Sequence, residues 1–336
     1  MREPALRVGI VSSWPRDPAR GSGTAMAVRG LALGLERLGH QVIHLRPGGD
    51  GHVRLLPRIL YNFRLSLRPG HLQELDLLVG VDLDGFLLRP AVPYVVTLKG
   101  VAADEALHEA GTAAVGLRIA ARLEARNARH ARWVVVPSEY AKGVARRLYG
   151  IPADRFAVVP EPVMPPRAPA GGDASGLRLW DRPTILSVAR QYPRKRTDVL
   201  LRALRDLSRR IPEVCLRVVG EGPELPKLRR LADALDGGGR MTFLGAVSEA
   251  ELAVEYARAH CFCLASEQEA YGIAVVEAMA AGLPVVAARA AALPEIVEDG
   301  VNGLLVEPGQ AGPLAEALAR VLLDPALSRA LGDAGR

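Results

Sequence analysis

Residues 262–306, FCLASEQEAYGIAVVEAMAAGLPVVAARAAALPEIVEDGVNGLLV, decide the fold of this 336-residue chain. The apolar run Cys261–Ala265 just before the polar part of this stretch is typical of a buried parallel strand. Ile273–Ala281 has the Ala, Val, Glu and Met of a helix, and Gly282 is the kind of residue that ends one. A second apolar run, Leu283–Ala287, follows. The stretch therefore predicts a strand, a polar loop, a helix and a second strand, as in an α/β protein.

Two carboxylates, Glu269 and Glu277, stand eight positions apart around the predicted start of that helix. A helix that begins near Gly272 directs free backbone N–H groups and the positive end of its dipole into the loop, which suits phosphate or sugar oxygens. Because like charges repel, two carboxylates are poorly suited to holding phosphate and better suited to accepting hydrogen bonds from sugar hydroxyls. The alternative is that Glu269 is solvated and Glu277 lies on an ordinary helix face.

The runs EAYGIAVVEAMAAGLPVVA and PEIVEDGVNGLLV closely resemble the signature of the family 4 glycosyltransferases, in which seven residues separate two glutamates. Arg190, followed five residues later by Lys195, resembles the basic pair of that family. The resemblance is strong over about residues 183–310 and weak over nearly the whole chain. It implies a GT-B fold, in which two Rossmann-like α/β domains face each other across a cleft. It also implies transfer of a sugar from a nucleotide-sugar with retention of the anomeric configuration.

The resemblance assigns roles to the residues that match the family motifs. Arg190 follows the predicted strand Thr184–Ala189, at the end of the strand where open α/β sheets bind ligands. Arg190 and Lys195 would bind the diphosphate, Glu269 the donor sugar and Glu277 the ribose hydroxyls, with Glu269, Arg190 and Lys195 as the catalytic set. The expected donor-binding residues are Gly23, Arg190, Lys195, Glu269, Tyr271, Gly272, Ile273 and Glu277. A solvated basic turn is the alternative for the Arg190 loop, and relatives usually carry glycine where this chain has Arg196.

Length and composition are consistent with this reading. A chain of this length can hold two domains, each with its own core, and a composition that is 49% hydrophobic and 4% aromatic suits an Ala-, Val- and Leu-rich α/β protein. No apolar run predicts a membrane span, and the start of the chain lacks a signal-peptide pattern. The three cysteines, Cys215, Cys261 and Cys263, lie in apolar runs, and the last two are too close together for a usual zinc pair. We therefore expect a cytoplasmic protein, and the resemblance implies that it needs no cofactor and no metal.

Charge is distributed unevenly along the chain. Residues 1–165 contain 22 Lys and Arg against 15 Asp and Glu, whereas the remainder contains 21 against 22. A basic first half could face an anionic acceptor or a membrane surface. Residues 52–68, HVRLLPRILYNFRLSLR, mix arginine with large apolar residues and could lie on a membrane interface, although Pro57 interrupts the stretch and an ordinary helix face also explains it.

The chain opens with a βαβ pattern. Residues 6–13 predict a strand, Ala25–Leu38 a helix and Gln41–Leu45 a second strand. The connecting loop, residues 14–24, ends in Gly-Ser-Gly-Thr but lacks a full G-x-G-x-x-G, so it is either a phosphate-approaching loop or a flexible turn. The family places this loop at the cleft near the donor phosphate or the acceptor, and this implies a donor contact at Gly23.

Further strands are predicted along the first half, and helices at 117–131 and 138–148. The strands are Asp76–Val81, Tyr94–Leu98, Trp133–Pro137 and Phe156–Pro160. The pair Asp82 and Asp84 has the spacing of a metal site, but the GT-B resemblance favours a plain loop at a strand end. Lys99 occupies the place where many relatives carry a histidine, so we expect Lys99 on the acceptor side as a point charge. The segment Glu161-Pro162-Val163 also departs from the family pattern.

These patterns predict an N-terminal Rossmann-like domain at 1–165 on the acceptor side, a linker at 166–182 rich in Pro and Gly, and a C-terminal Rossmann-like donor domain at 183–336. The donor domain is expected to hold strands at 215–219 and 241–245 and helices at 197–209 and 313–323. Relatives commonly continue with a helix that crosses back to the first domain, and we expect this one to lack it.

The function expected from the resemblance is that of a retaining hexosyltransferase in glycan biosynthesis. Its partners would be a nucleotide-sugar donor and a sugar, lipid-linked or small-molecule acceptor. A peripheral contact with the inner face of the membrane is also considered, and no nucleic acid is expected. Two alternatives are a nucleotide-sugar 2-epimerase of similar fold, whose acid and base residues we cannot locate in the sequence, and a non-catalytic nucleotide-sugar-binding subunit.

Overall fold

The structure, a computed structural model, describes residues 4–15, 23–48, 54–67, 69–163, 180–235 and 239–336. The chain divides into two compact units, Met1–Val163 (unit 1) and Met164–Arg336 (unit 2). The predicted linker lies outside the described residues as far as 179, and so does the part of the first loop at 16–22. No helix in the described ranges is both long enough and apolar enough to cross a membrane.

Unit 1 is built on a six-stranded parallel sheet of order β2-β1-β3-β4-β5-β6. Its strands are β1 (Arg7–Val11), β2 (Gln41–Leu45), β3 (Leu77–Val81), β4 (Tyr94–Thr97), β5 (Trp133–Val136) and β6 (Phe156–Val158). Its helices are α1 (Gly23–Arg37), α2 (Leu55–Ser66), α3 (Ala102–Glu105), α4 (Gly111–His130) and α5 (Glu139–Tyr149). Strands β3 and β4 are almost wholly apolar and mostly buried, as expected of a parallel sheet covered on both faces.

Unit 2 repeats the architecture with the order β12-β11-β10-β7-β8-β9, again parallel throughout. Its strands are β7 (Thr184–Val188), β8 (Cys215–Val219), β9 (Met241–Gly245), β10 (Cys261–Leu264), β11 (Val285–Ala288) and β12 (Leu304–Val306). Its helices are α6 (Thr197–Leu207), α7 (Leu225–Leu235), α8 (Glu249–Arg258), α9 (Ile273–Ala280), α10 (Leu293–Ile296), α11 (Ala311–Leu323) and α12 (Pro325–Gly335). Two Rossmann-like α/β units are thus confirmed.

Each sheet has one place where the strand order reverses. In unit 1 the chain goes from β1 outward to β2 and then returns to β3 on the other side of β1. In unit 2 it goes from β7 to β8 and β9 and returns to β10, beside β7. The loops that leave the two adjacent strands at such a point diverge to opposite faces, so a crevice forms at their carboxyl ends. These switch points are where a ligand site is expected in each sheet.

Local signals explain most element ends. Ser138, where the predicted helix starts, caps α5, because its hydroxyl accepts a hydrogen bond from the Ala141 N–H at 3.0 Å. Pro57 does not interrupt α2, because it lies in the first turn, where no intrahelical N–H is needed. Helix α4 begins at Gly111, six residues before the predicted start. Helix α8, which the sequence reading missed, begins with a capping box between Ser248 and Glu251.

Candidate active site

The switch point of unit 2 lies between β7 and β10, which pair directly through Ile185 and Cys261. The loop after β7 carries Arg190 and Lys195, and the loop after β10 carries Glu269. Three residues predicted from the sequence therefore belong to the two loops that leave this point. Parallel strands present their carboxyl ends at one edge, and the crevice at that edge is the usual ligand position in such sheets.

An ion pair joins the two loops. The Lys195 Nζ atom lies 2.6 Å from Glu269 Oε1, and the two side chains are 13% and 12% exposed. The pair is therefore mostly sheltered but still open to solvent. An ammonium group has three N–H donors and a carboxylate has two oxygens, so the pair leaves both groups with hydrogen-bonding capacity for a ligand.

The basic turn after β7 is organised around an aromatic ring. The guanidinium carbons of Arg190 and Arg194 lie 5.9 Å and 4.7 Å from the centre of the Tyr192 ring, within the range of cation–π contacts. The Arg190 Nε atom is buried and has no hydrogen-bond partner in the described part of the chain. A buried hydrogen-bond donor without a partner destabilises a folded protein. Arg190 thus has an unused N–H donor at the switch point.

Arg196 has a different role from Lys195. Its φ is +48°, in the left-handed region that favours glycine, and it immediately precedes α6. Its guanidinium pairs with Asp198 at 3.1 Å and also with Glu267, and these partners raise the pKa of Arg196. The backbone conformation gives a physical reason for the glycine that relatives usually carry here. The ion pairs direct the Arg196 charge to protein carboxylates.

The loop after β8 packs closely against the backbone of the Arg190 turn. A Cβ atom on Gly220 would lie 2.0 Å from the Ala189 carbonyl oxygen, and one on Gly222 would lie 2.3 Å from the Gln191 carbonyl oxygen. Buried Gln191 is held by its own contacts, since its side-chain oxygen accepts a hydrogen bond from Thr197 Oγ1 at 2.7 Å. Neither Gln191 nor these glycines are among the predicted site residues. The Gly-Glu-Gly turn directly after a predicted strand is the signal that could have found them.

Gly272 takes the conformation that the start of α9 requires. Its φ is +110°, and a Cβ atom there would lie 2.9 Å from Leu293 Cδ2. Both the conformation and the close packing therefore select glycine. Ile273 is the first residue of α9, so the predicted helix N-terminus is where the sequence placed it. Tyr271, just before Gly272, is half-buried. The first N–H groups of this helix have no carbonyl of an earlier turn to bind.

Glu277 lies inside α9 and is buried. The Tyr256 hydroxyl donates a hydrogen bond to Glu277 Oε2 at 2.9 Å. Burial raises the pKa of Glu277 to about 7, and burial also raises the pKa of Tyr256 well above its usual value. The protonated form of this carboxyl group is therefore more favoured than that of a solvated glutamate. Its neighbour on α8, Tyr256, was missed because the sequence reading did not identify that helix.

The unit 1 candidates lie in different surroundings. Gly23 is the first residue of α1 and is exposed, directly after the undescribed residues 16–22. The Lys99 Nζ atom lies 2.8 Å from Glu161 Oε2, and both side chains are buried. Burial raises the pKa of Glu161, and the Lys99 charge opposes this. The two departures from the family pattern, Lys99 and Glu161, are thus partners of each other.

Asp82 and Asp84 bind protein groups. Asp84 accepts hydrogen bonds from the Ser13 backbone N–H at 2.8 Å and from Asn62 Nδ2 at 2.9 Å, and Asp82 accepts one from the Trp14 indole N–H at 3.0 Å. Within the ranges that the structure describes, no cluster of three or more His, Cys, Asp or Glu could hold a metal ion. The loop reading of this pair is the one that fits these contacts.

The C-terminal half of the chain resembles a known protein family. The family model described as glycosyl transferases group 1 matches residues 176–336. The chain is 36% identical over 194 residues to the GDP-mannose-dependent alpha-(1-6)-phosphatidylinositol monomannoside mannosyltransferase of Mycolicibacterium smegmatis, and this match covers 56% of this chain and 49% of that protein. The chain spans about half the length of the curated relatives it matches.

Two solved structures show the likeness in fold. Sucrose-phosphate synthase from Thermosynechococcus elongatus matches with a TM-score of 0.79 at 21% identity, over 98% of this chain and 93% of that one. HepE from Anabaena, solved in complex with UDP-glucose, matches with a TM-score of 0.70 at 20% identity and the same coverage. The fold is the GT-B fold that the resemblance implied. Residues 176–336 of this chain are thus similar in sequence to the group 1 glycosyl transferases.

Proposed function

We propose that the chain transfers a sugar from a nucleotide-sugar donor to an acceptor hydroxyl with retention of configuration at the anomeric carbon. The observation that carries this proposal is the grouping of Arg190, Lys195 and Glu269 on the two loops that leave the unit 2 switch point. Two cations beside a carboxylate match a ligand that has a diphosphate at one end and hydroxyl groups at the other.

The diphosphate would bind Arg190 and Lys195. Arg190 has an unused Nε–H and a planar guanidinium that suits phosphate oxygens, and Lys195 keeps two donors beyond its contact with Glu269. The N-terminus of α9, from Gly272 and Ile273 onward, would add backbone N–H groups. These groups would neutralise the charge that grows on the departing diphosphate, so the scheme requires no metal ion and no cofactor.

The two glutamates would hold hydroxyl groups. Glu269 has a second carboxylate oxygen besides the one bound to Lys195, and we assign it to the donor sugar. Glu277 is assigned to the ribose, where its raised pKa makes binding sensitive to pH near neutrality. Tyr271 would lie between the two sites along the chain. The acceptor side is assigned to unit 1, with Lys99 as its candidate, and Gly23 is assigned to the donor.

The reaction would break the bond between the anomeric carbon and the diphosphate oxygen while the acceptor oxygen bonds to the same face of that carbon. The sugar passes through an oxocarbenium-like state, and the leaving diphosphate takes the proton of the acceptor hydroxyl. No separate protein base is needed for this balance.

Relatives support the class of substrate. The mycobacterial relative is named for GDP-mannose and for a phosphatidylinositol mannoside, and the Anabaena structure holds UDP-glucose. We therefore propose a UDP- or GDP-sugar donor and an acceptor hydroxyl on a glycan, glycolipid or small glycoside. The three cysteines are free, and this favours a reducing, cytoplasmic setting.

The test is a donor panel of UDP-, GDP- and ADP-sugars, read by thermal shift and by release of the sugar with and without EDTA. One nucleotide should stabilise the protein, and turnover should survive EDTA. Arg190→Ala should lower the affinity for that nucleotide by roughly tenfold or more, since a hydrogen bond to a charged group contributes about 1.5–3 kcal/mol. Arg240→Ala is the matched control, because Arg240 precedes β9 and so lies at the opposite edge of the sheet.

Proton NMR of the product formed with a simple glycoside acceptor measures the stereochemical outcome. Retention gives a product with the anomeric configuration of the donor, and inversion contradicts the proposed mechanism. Formation of an epimer from the donor without any acceptor would contradict the transferase assignment itself. Equal nucleotide affinity in Arg190→Ala and Arg240→Ala would remove Arg190 from the diphosphate site.

A further inference from the structure

Helix α2 buries polar residues and exposes apolar ones. Its buried residues are Arg58, Tyr61 and Asn62. Four large apolar residues form an exposed row that we call the α2 stripe. Its members and their exposed fractions are Leu56 (66%), Leu60 (47%), Phe63 (54%) and Leu67 (66%). Spacings of four, three and four residues place them on one face of the helix.

The buried contacts fix the helix in this orientation. Arg58 Nη2 lies 3.2 Å from Asp84 Oδ2, and Asn62 Nδ2 donates to Asp84 Oδ1 at 2.9 Å. Asn62 Oδ1, the side-chain oxygen, accepts a hydrogen bond from the Gly85 N–H at 2.6 Å. A rotation of the helix that buried the leucines would break these bonds and leave the buried Asp84 charge without its Arg58 partner, which is strongly unfavourable. The stripe is therefore held outward by the polar contacts beneath it.

The charged residues within residues 54–67 are all arginines. Arg54 and Arg64 are exposed, and residues 54–67 contain no Asp or Glu. The first half of the chain also carries an excess of basic residues, 22 against 15 acidic ones over residues 1–165. A surface that is apolar along its centre and basic at its sides fits a partner that is apolar inside and anionic outside.

We propose that α2 docks on the surface of a lipid bilayer that contains anionic headgroups. Leu56, Leu60, Phe63 and Leu67 enter the boundary between headgroups and acyl chains, while Arg54 and Arg64 contact lipid phosphates. A helix of 12 residues is about 18 Å long, so α2 lies in the plane of the membrane and does not span it. The inference goes beyond the proposed reaction, because it depends only on the surface of unit 1.

A second copy of the chain fits the stripe less well. Four side chains on one short helix make a patch of roughly a few hundred Å², whereas a stable interface buries about 800 Å² on each partner. A two-fold dimer would also bring the same patch of both copies together. Arg64 beside the stripe would then approach its own counterpart, and the two positive charges would repel.

Flotation with vesicles tests the proposal on the full chain without any substrate. Vesicles of phosphatidylcholine with phosphatidylglycerol should bind the protein at low salt, pure phosphatidylcholine should bind it less, and high salt should weaken binding to the anionic vesicles. The double variant Leu60→Ser/Phe63→Ser should lower binding to anionic vesicles at least about tenfold. The matched control Leu38→Ser/Val301→Ser replaces apolar residues that are 75% and 51% exposed elsewhere, and it should bind like the wild type.

A second measurement reports insertion directly. In Phe63→Trp, the added tryptophan fluorescence should shift to shorter wavelength when anionic vesicles are present, as the side chain leaves water. Absence of binding by the wild type, equal binding by the wild type and the stripe double variant, or no shift in Phe63→Trp would each overturn the proposal. If sedimentation shows a dimer that the stripe variant disrupts while vesicle binding is unchanged, the stripe belongs to a second copy and the proposal also fails.

Discussion

The two sheets have the same kind of switch point, but the chemistry at the two points differs. In unit 1 the point lies between β1 and β3, and Ser13 and Asp84 follow those strands. Asp84 is fully buried and its partners are protein groups on every side, including Arg58 and Asn62. In unit 2 the loops at the corresponding point are joined by two partly exposed ion pairs, Lys195 with Glu269 and Arg196 with Glu267, and they also carry Arg190.

This difference separates a polar cluster that holds the fold from one that can bind a ligand. Ser13, Asp84, Arg58 and Asn62 satisfy one another, so the unit 1 cluster has little hydrogen-bonding capacity left over. The unit 2 cluster keeps an unpaired Nε–H on Arg190. Position at a switch point is therefore not sufficient to identify a site, and the donors left unused at that point are the better criterion.

The largest expected effect on stability comes from breaking the unit 1 cluster. Asp84→Ala removes the acceptor of Ser13, Arg58 and Asn62 and leaves the buried Arg58 charge without its carboxylate partner. We expect a loss of about 3–5 kcal/mol in the free energy of unfolding, as for other broken buried ion pairs. Urea unfolding followed by circular dichroism measures this loss.

Asp333→Ala is the control for that change, because Asp333 is an exposed carboxylate in α12 and its removal should leave the midpoint almost unaltered. Nucleotide affinity of the Asp84→Ala protein that remains folded should equal that of the wild type, since Asp84 belongs to the unit 1 cluster. A stability loss below about 1 kcal/mol would mean that the unit 1 cluster contributes little to the stability of unit 1.

Most of the fold could be predicted because its signal is local. The strands at 41–45, 215–219 and 241–245 were predicted with the bounds that they have, since short apolar runs between turn residues are typical of buried parallel strands. Ser138 and Gly272 marked helix starts correctly for the same reason. Helix α8 was not predicted, although its signal is also local, since Ser248 and Glu251 have the spacing of a capping box.

The candidate site was only partly predictable. The family motif located Arg190, Lys195, Glu269 and Glu277, but no sequence pattern showed that Lys195 and Glu269 pair across 74 positions. The orientation of α2 was likewise hidden, because helical periodicity reveals two faces but does not tell which one faces the protein. Asp84 decides that orientation, and it lies 26 positions beyond Arg58. Contacts set by sheet order can be read only from the folded chain.

The next effect is the pH dependence of stability, which compares buried carboxyl groups in the two units. Burial raises the pKa of Glu277 from 4.5 to about 7. The folded state then binds more protons than the unfolded state between those values, so the free energy of unfolding falls as the pH rises from about 4.5 to 7. At about 1.4 kcal/mol per pKa unit, this contribution is on the order of 3 kcal/mol.

Glu277→Gln measures that contribution, because the amide keeps the shape of the protonated carboxyl group and cannot ionise. The variant should lose less stability than the wild type between pH 4.5 and 7, as measured by urea midpoints at several pH values. In unit 1, burial also raises the pKa of Glu124, which accepts a hydrogen bond from the Tyr149 hydroxyl at 2.5 Å. Glu124→Gln should reduce the pH dependence in the same direction. Parallel pH profiles for wild type and Glu277→Gln would show that Glu277 is ionised in the folded state.

The smallest effect concerns the backbone at the carboxyl edges of the two sheets. Asp82 in unit 1 and Ala291 in unit 2 both have positive φ, +54° and +52°. Asp82 is held in this conformation by hydrogen bonds that its side chain accepts from the Trp14 indole at 3.0 Å and the Lys99 N–H at 2.8 Å, whereas the methyl group of Ala291 can form none.

The left-handed conformation costs a non-glycine residue about 1–2 kcal/mol, and glycine loses about 0.5–1 kcal/mol more backbone entropy on folding. Ala291→Gly should therefore raise the free energy of unfolding by about 0.5–1 kcal/mol, and Asp82→Gly should lower it, because two hydrogen bonds are lost. Thermal unfolding of the two glycine variants measures both signs, and a loss of stability in Ala291→Gly would mean that packing of the Ala291 methyl group outweighs the backbone strain.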